Sequence, residues 1–181
     1  MSRPVFNKSH IYRITLDALF VALFVVLATV LSFETPLFKL AWTSLPILLC
    51  AFLLRPADAI AVALLGSFLD QMIYGLNAQA PLWMLPFLLL GVISSLLANT
   101  VCRDGKLWKV VVSLVISELA LTVFNTLSLY LCGYILANVT NPALLIWGFV
   151  TRILPALPRI VLSAIFVPVL LKPLRRVLSR G

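Results

Sequence analysis

Apolar residues in this chain fall into long runs separated by short polar punctuation. Crossing a hydrocarbon core about 30 Å thick takes roughly 20 helical residues, and runs of about that length recur along the whole chain. Their limits predict six helices, at 14–32, 42–54, 57–74, 81–101, 108–136 and 144–171. The second is short and ends at Arg55-Pro56, where a proline suits the first turn of the helix that follows. The fourth ends in the polar turn Arg103-Asp104-Gly105-Lys106, and the sixth in Lys172-Pro173-Leu174-Arg175-Arg176. The fifth is long enough to tilt or protrude. The first follows Arg3, Lys8 and Arg13, as a signal peptide would. It carries Asp17 and has no small-x-small exit before Phe33-Glu34, so it reads as a retained membrane helix. The expected fold is an all-α membrane protein, with residues 1–181 forming a single integral membrane domain.

Composition turns that pattern into a statement about solvent. The chain is 62% hydrophobic and 11% charged, against about 45–50% and 25% for an ordinary soluble domain, and its mean hydropathy is +1.12. A 20.0 kDa chain has too little interior to hide so much apolar surface, which excludes a water-soluble globule and leaves the lipid bilayer as its surroundings. The net charge of +8 comes with 14 Lys and Arg residues, eleven of which fall in the termini and in the turns of one side. The opposite side has only Lys39, and its loops at 77–80 and 137–141 carry no charge. Basic residues collect in cytoplasmic loops, so both termini are expected inside, and the basicity argues for a membrane rather than a nucleic acid. Cys50, Cys102 and Cys132 form no C-x-x-C pair, and His10 is the one histidine. Neither a disulfide framework nor a metal site follows; the cysteines read as small packing residues.

Arg152 and Arg159 lie inside the sixth run, and Asp70 and Glu118 lie at similar depth in the third and fifth. Ionisable groups in a bilayer are costly, face the bundle interior or a cavity, and mark a substrate or ion path. Arg152 and Arg159 are seven residues apart and share a helix face, as do Glu118 and Asn125. With the expected orientation the cluster opens outward, Arg152, Asn125 and Trp83 forming its mouth and Arg159 and Glu118 its floor. Two readings stand. The charges neutralise one another as the interhelical pairs Arg159–Glu118 and Arg152–Asp70, or they line a pocket for a polar or charged small molecule. Four ionisable groups exceed what packing needs, which favours the pocket. Pro155 and Pro158, between the two arginines, predict a kink facing a wet cavity.

Small residues recur at four-residue spacing in two helices: Ala18 and Ala22 in the first, and Ala59, Ala63 and Ser67 in the third. Such stripes let membrane helices approach closely. Internal packing accounts for the third-helix stripe, whereas the first-helix pair suits either packing within the bundle or docking to another membrane subunit. The chain contains no G-x-x-x-x-G-K-[ST], G-x-S-x-G or H-E-x-x-H. It therefore reads as a non-enzyme with no cofactor, which takes energy for uphill transport from a partner or an ion gradient. The two halves show no inverted repeat of the kind secondary transporters carry.

Several segments carry a resemblance. Ala18-x-x-x-Ala22, Thr43-Ser44-Leu45-Pro46-Ile47-Leu48-Leu49, Arg55-Pro56 and Leu65-Gly66-Ser67-Phe68-Leu69-Asp70 resemble the substrate-binding S components of energy-coupling-factor (ECF) vitamin transporters. The likeness covers nearly the whole chain. Phe124-Asn125-Thr126-Leu127, Val150-Thr151-Arg152-Ile153-Leu154 and Leu171-Lys172-Pro173 are most similar to the folate-type members. The resemblance implies capture of a water-soluble vitamin at the outer face of a prokaryotic plasma membrane, under a gating loop here at 33–42. It also implies docking through Ala18 and Ala22 onto a transmembrane coupling protein that carries two cytoplasmic ATPases. The chain departs from the folate pattern in having Arg55 where a glycine is usual and Pro155-Ala156 where a Lys-Asn pair is usual, with Arg159 one turn on as a replacement cation. Arginines suit carboxylates through forked, charge-assisted bonds, Glu118 or Asp70 suits an amino-heterocycle, and Trp83 or Trp147 suits stacking on its ring. A structural protein of the cell-wall elongation machinery, resembling the rod-shape D type, is the competing class; it has a similar length, span count and third-helix aspartate, and needs no deep pocket.

Overall fold

The computed structural model describes residues 10–34, 39–40, 42–104, 106–137 and 143–180. Six helices follow one another: α1 (His10–Thr29), α2 (Ser44–Leu53), α3 (Pro56–Tyr74), α4 (Ala80–Thr100), α5 (Leu107–Ala137) and α6 (Ala143–Arg180). A 3₁₀ turn, Val101–Asp104, follows α4. Between α1 and α2 lies a two-stranded antiparallel ribbon, β1 (Phe33–Glu34) and β2 (Lys39–Leu40), with Phe33 opposite Leu40. Within the expected gating loop, 35–38 and Ala41 lie outside the described residues, as does most of the loop expected at 137–141.

Five of the helices are long and apolar enough to cross a membrane. The other, α2, has 10 residues, and at 1.5 Å rise it reaches only about 15 Å, half the hydrocarbon core. It is also the most enclosed element: Ser44 and every residue from Pro46 to Leu53 are buried. A helix apolar on all sides belongs in an interior, and α2 packs among α1, α3, α4 and α6. The remaining helices pack in a row around it, α1 on α3, α3 on α4, α4 on α5 and α5 on α6.

Local chemistry sets the turn from α2 to α3. Arg55 precedes a proline and is extended, with φ −80° and ψ 158°, as steric conflict with the proline ring requires. Pro56 then opens α3, and the Asp58 carboxylate accepts the Arg55 backbone N–H at 3.0 Å, closing the helix start. The Arg13 guanidinium of α1 donates to the same carboxylate, so one aspartate caps α3 and holds the first helix.

Small residues allow the tightest approaches. Gly66 of α3 lies under the Phe24 ring of α1, and a Cβ there would stand 2.7 Å from the ring. Gly91 of α4 lies against Ala59 and Ala63 of α3. The third-helix stripe is thus internal packing. Phe24 also meets Phe87 of α4 edge to face, with ring centroids 5.4 Å apart.

The sixth helix exceeds its expected length. The sequence placed its end at residue 171, yet α6 continues through Pro173 to Arg180. Leu174 packs on the core and Arg175 donates to the Phe52 carbonyl at the end of α2, at 3.4 Å. These contacts hold the extra turns that the proline alone would disfavour.

Candidate functional site

The site is built where α2, α5 and α6 meet. Glu118 on α5 has no exposed surface, and donors come to it from two other helices. Ser44 Oγ at the start of α2 and Ser163 Oγ on α6 donate to its Oε1, at 2.6 and 2.7 Å. Arg159 Nε on α6 donates to its Oε2, at 2.6 Å. The Arg159 Nη2 edge donates to Thr122 Oγ1 at 2.8 Å, and that hydroxyl donates in turn to the Glu118 carbonyl at 3.0 Å. A carboxylate taken out of water persists only if charge and hydrogen bonds both compensate it. Here a cation and two hydroxyls do so.

Further along α6, Arg152 Nη1 donates to the backbone carbonyl of Asn125 on α5, at 3.1 Å. Of the two ion pairs the sequence allowed, Arg159–Glu118 is present. Arg152–Asp70 is not among the ion pairs of the described residues. The reason is placement: Asp70 stands on α3, whose neighbours are α1, α2 and α4, while α6 packs on α5 and α2 and touches β2. Trp83 lies in the first turn of α4, half-buried, and its Nε1 donates to Gln79 Oε1 at 3.4 Å. The structure therefore joins Arg152, Arg159, Glu118 and Asn125 into one polar wall on α5 and α6, and leaves Asp70 and Trp83 on other helices. Trp147 is 67% exposed.

Helix α6 is continuous through residues 155 and 158, and Pro158 is exposed while Arg159 is partly buried.

Sequence reasoning missed Ser44, Thr122 and Ser163. Thr122 follows Glu118, and Ser163 follows Arg159, by the four residues that stack side chains on a helix face, so two of the three left a local signal. Ser44 left none, being 74 residues from its partner. Arg13–Asp58 was also missed.

At the other side of the bundle, Ala18 and Ala22 are exposed on α1 among Ile14, Leu19 and Val26, while Phe20, Val21, Phe24 and Ala28 face inward. Among the described residues no group of three His, Cys, Asp or Glu side chains could hold a metal ion.

A bundle of apolar helices enclosing a short central helix, with a bonded polar wall on α5 and α6, is that of a multi-pass membrane protein. The chain matches the family of ECF transporter substrate-specific components over residues 12–171, and it belongs to that family. No match is found among curated proteins. Membership makes the chain a substrate-specific subunit of an ECF transporter, and sets aside the structural cell-wall class. It also implies association with an ECF module of a membrane component and ATPases.

Proposed function

We propose that this subunit captures a water-soluble vitamin or related small heterocycle, folate-like in chemistry, at the outer face of a prokaryotic plasma membrane. It delivers that solute with a transmembrane coupling protein and two cytoplasmic ATPases, to which it docks through Ala18 and Ala22. Arg152 and Arg159 take the anionic group of the ligand, with Glu118 and Asn125 beside them, and Asp70 and Trp83 serve its heterocycle from across the bundle.

One observation carries this reading. Arg152 stands within an apolar helix, and its one hydrogen bond among the described residues goes to a backbone carbonyl rather than to a carboxylate. A cation at membrane depth requires a compensating anion or access to water, and a carboxylate ligand supplies the first through a charge-assisted bond. Arg159 lies two turns away on the same face, which suits an elongated anion or one bearing two acceptor groups.

The experiment is a titration of the purified protein with folic acid, alongside mass analysis of any small molecule that copurifies. Submicromolar binding is expected. A hydrogen bond to a charged group contributes about 1.5–3 kcal/mol, so Arg152→Ala is expected to weaken binding by roughly 10-fold to 100-fold. Equal affinity in the wild type, Arg152→Ala and Arg159→Ala overturns the pocket.

A further inference from the structure

We propose that Ser44 and Ser163 are positioning residues for substrate recognition, acting through Glu118 on Arg159. The inference rests on the reading that Arg159 contacts an anionic ligand. Its basis is how the bonds divide. A carboxylate facing an arginine is best satisfied by the forked arrangement, in which two parallel N–H groups meet both oxygens. Glu118 and Arg159 do not adopt it. Oε1 is taken by the two serine hydroxyls, so only Oε2 receives the guanidinium, through Nε. Nη2 is thereby released to Thr122. Nη1 has no hydrogen bond among the described residues, and the Arg159 side chain keeps 12% of its surface exposed.

The serines thus hold the ion pair to a single contact. Without them Oε1 has no donor, and an unmet buried acceptor is costly. The nearest remedy is rotation of the guanidinium into the fork, which moves Nη2 from Thr122 onto Glu118 and turns Nη1 with it. The donors offered to a ligand are then misdirected although every charge is still present. Ser44 opens α2, so the start of that helix is linked to Arg159 through the Glu118 carboxylate.

Arginine reactivity tests this without a ligand. Membranes carrying the protein are treated with phenylglyoxal, an arginine-selective dicarbonyl, and modification of Arg159 and Arg152 is followed by peptide mass analysis. In Ser44→Ala/Ser163→Ala the Arg159 rate is expected to fall at least threefold as the guanidinium folds onto Glu118, with the Arg152 rate unchanged. In Glu118→Gln it is expected to rise, because the pair is dissolved. The single Ser163→Ala variant is expected to move in the same direction as the double variant by a smaller factor, and Ser163→Thr to restore the wild-type rate. General loosening of the bundle would instead raise both arginines in every variant. That result overturns the proposal, as does an Arg159 rate unaffected by loss of the serines or an unreactive Arg159 in the wild type. Titration with folic acid separates the two readings. If folic acid does not bind the wild type, the folate reading fails while the reactivity pattern still decides the positioning role. If it binds, the double variant is expected to bind at least tenfold more weakly.

Discussion

Glu118 and Arg159 form a buried ion pair with a structural duty, and under the proposed function the same pair also serves recognition. Burying two charges costs several kcal/mol per ion, repaid only by close contact and filled hydrogen-bond sites. The serines and Thr122 fill those sites here. Removing one partner leaves a buried charge without its counter-ion, so Glu118→Leu or Arg159→Leu alone is expected to cost about 3–5 kcal/mol. Glu118→Leu/Arg159→Leu together removes both charges and should recover much of that loss. Thermal unfolding in detergent measures it, and a double variant as unstable as the sum of the singles would show that the two residues contribute independently rather than as a compensated pair. The same double variant is expected to lose folic acid binding, which would separate stability from binding at one location. Arg152 differs in kind: bonded to a backbone carbonyl, it has no comparable structural duty among the described contacts, and its loss should fall on binding far more than on stability.

At the scale of helices, α1 and α2 divide the labour. The inward face of α1 is fixed at two heights, by the Arg13 bond to Asp58 and by Phe24 seated over Gly66. Its other face leaves Ala18 and Ala22 exposed, flat enough for close approach of a second helix. An indole there should block docking without reaching the arginine wall on α5 and α6. Ala18→Trp and Ala22→Trp are therefore expected to abolish uptake in cells while leaving folic acid binding within about twofold, since exposed substitutions away from a site rarely change local energetics by more than about 0.5 kcal/mol. Uptake that survives both would move the docking face elsewhere. The second helix works the other way, buried nearly throughout and bonded at its start to Glu118 and at its end, through the Phe52 carbonyl, to Arg175. It ties α6 to the rest of the bundle.

Over the whole molecule, the eleven basic residues that fall on one side predict an orientation in which the turn between α3 and α4 faces outward and the turn between α4 and α5 inward. Asn77→Cys is expected to react with a membrane-impermeant maleimide in intact cells, and Lys106→Cys only after the cells are opened; the reverse pattern would invert the site's access. Each helix run and the family were legible in the sequence because they depend on sums over neighbouring residues, and the expected orientation rests on the same kind of sum. Transfer of a helix into lipid adds up side chain by side chain, and the positive-inside bias is a count. The intramembrane charges were legible for the same reason, since a charge within an apolar run is conspicuous wherever it points. Which charge meets which was decided only by the tertiary structure. Asp70 and Arg152 are opposite in sign and similar in expected depth, yet the packing order sets them on helices that are not neighbours, and Ser44 reaches Glu118 across 74 residues with no local pattern to announce it. Depth follows from distance along the chain, whereas contact depends on the rotation and neighbours of each helix, and these are settled by close packing at Gly66, Gly91 and the buried faces of α2.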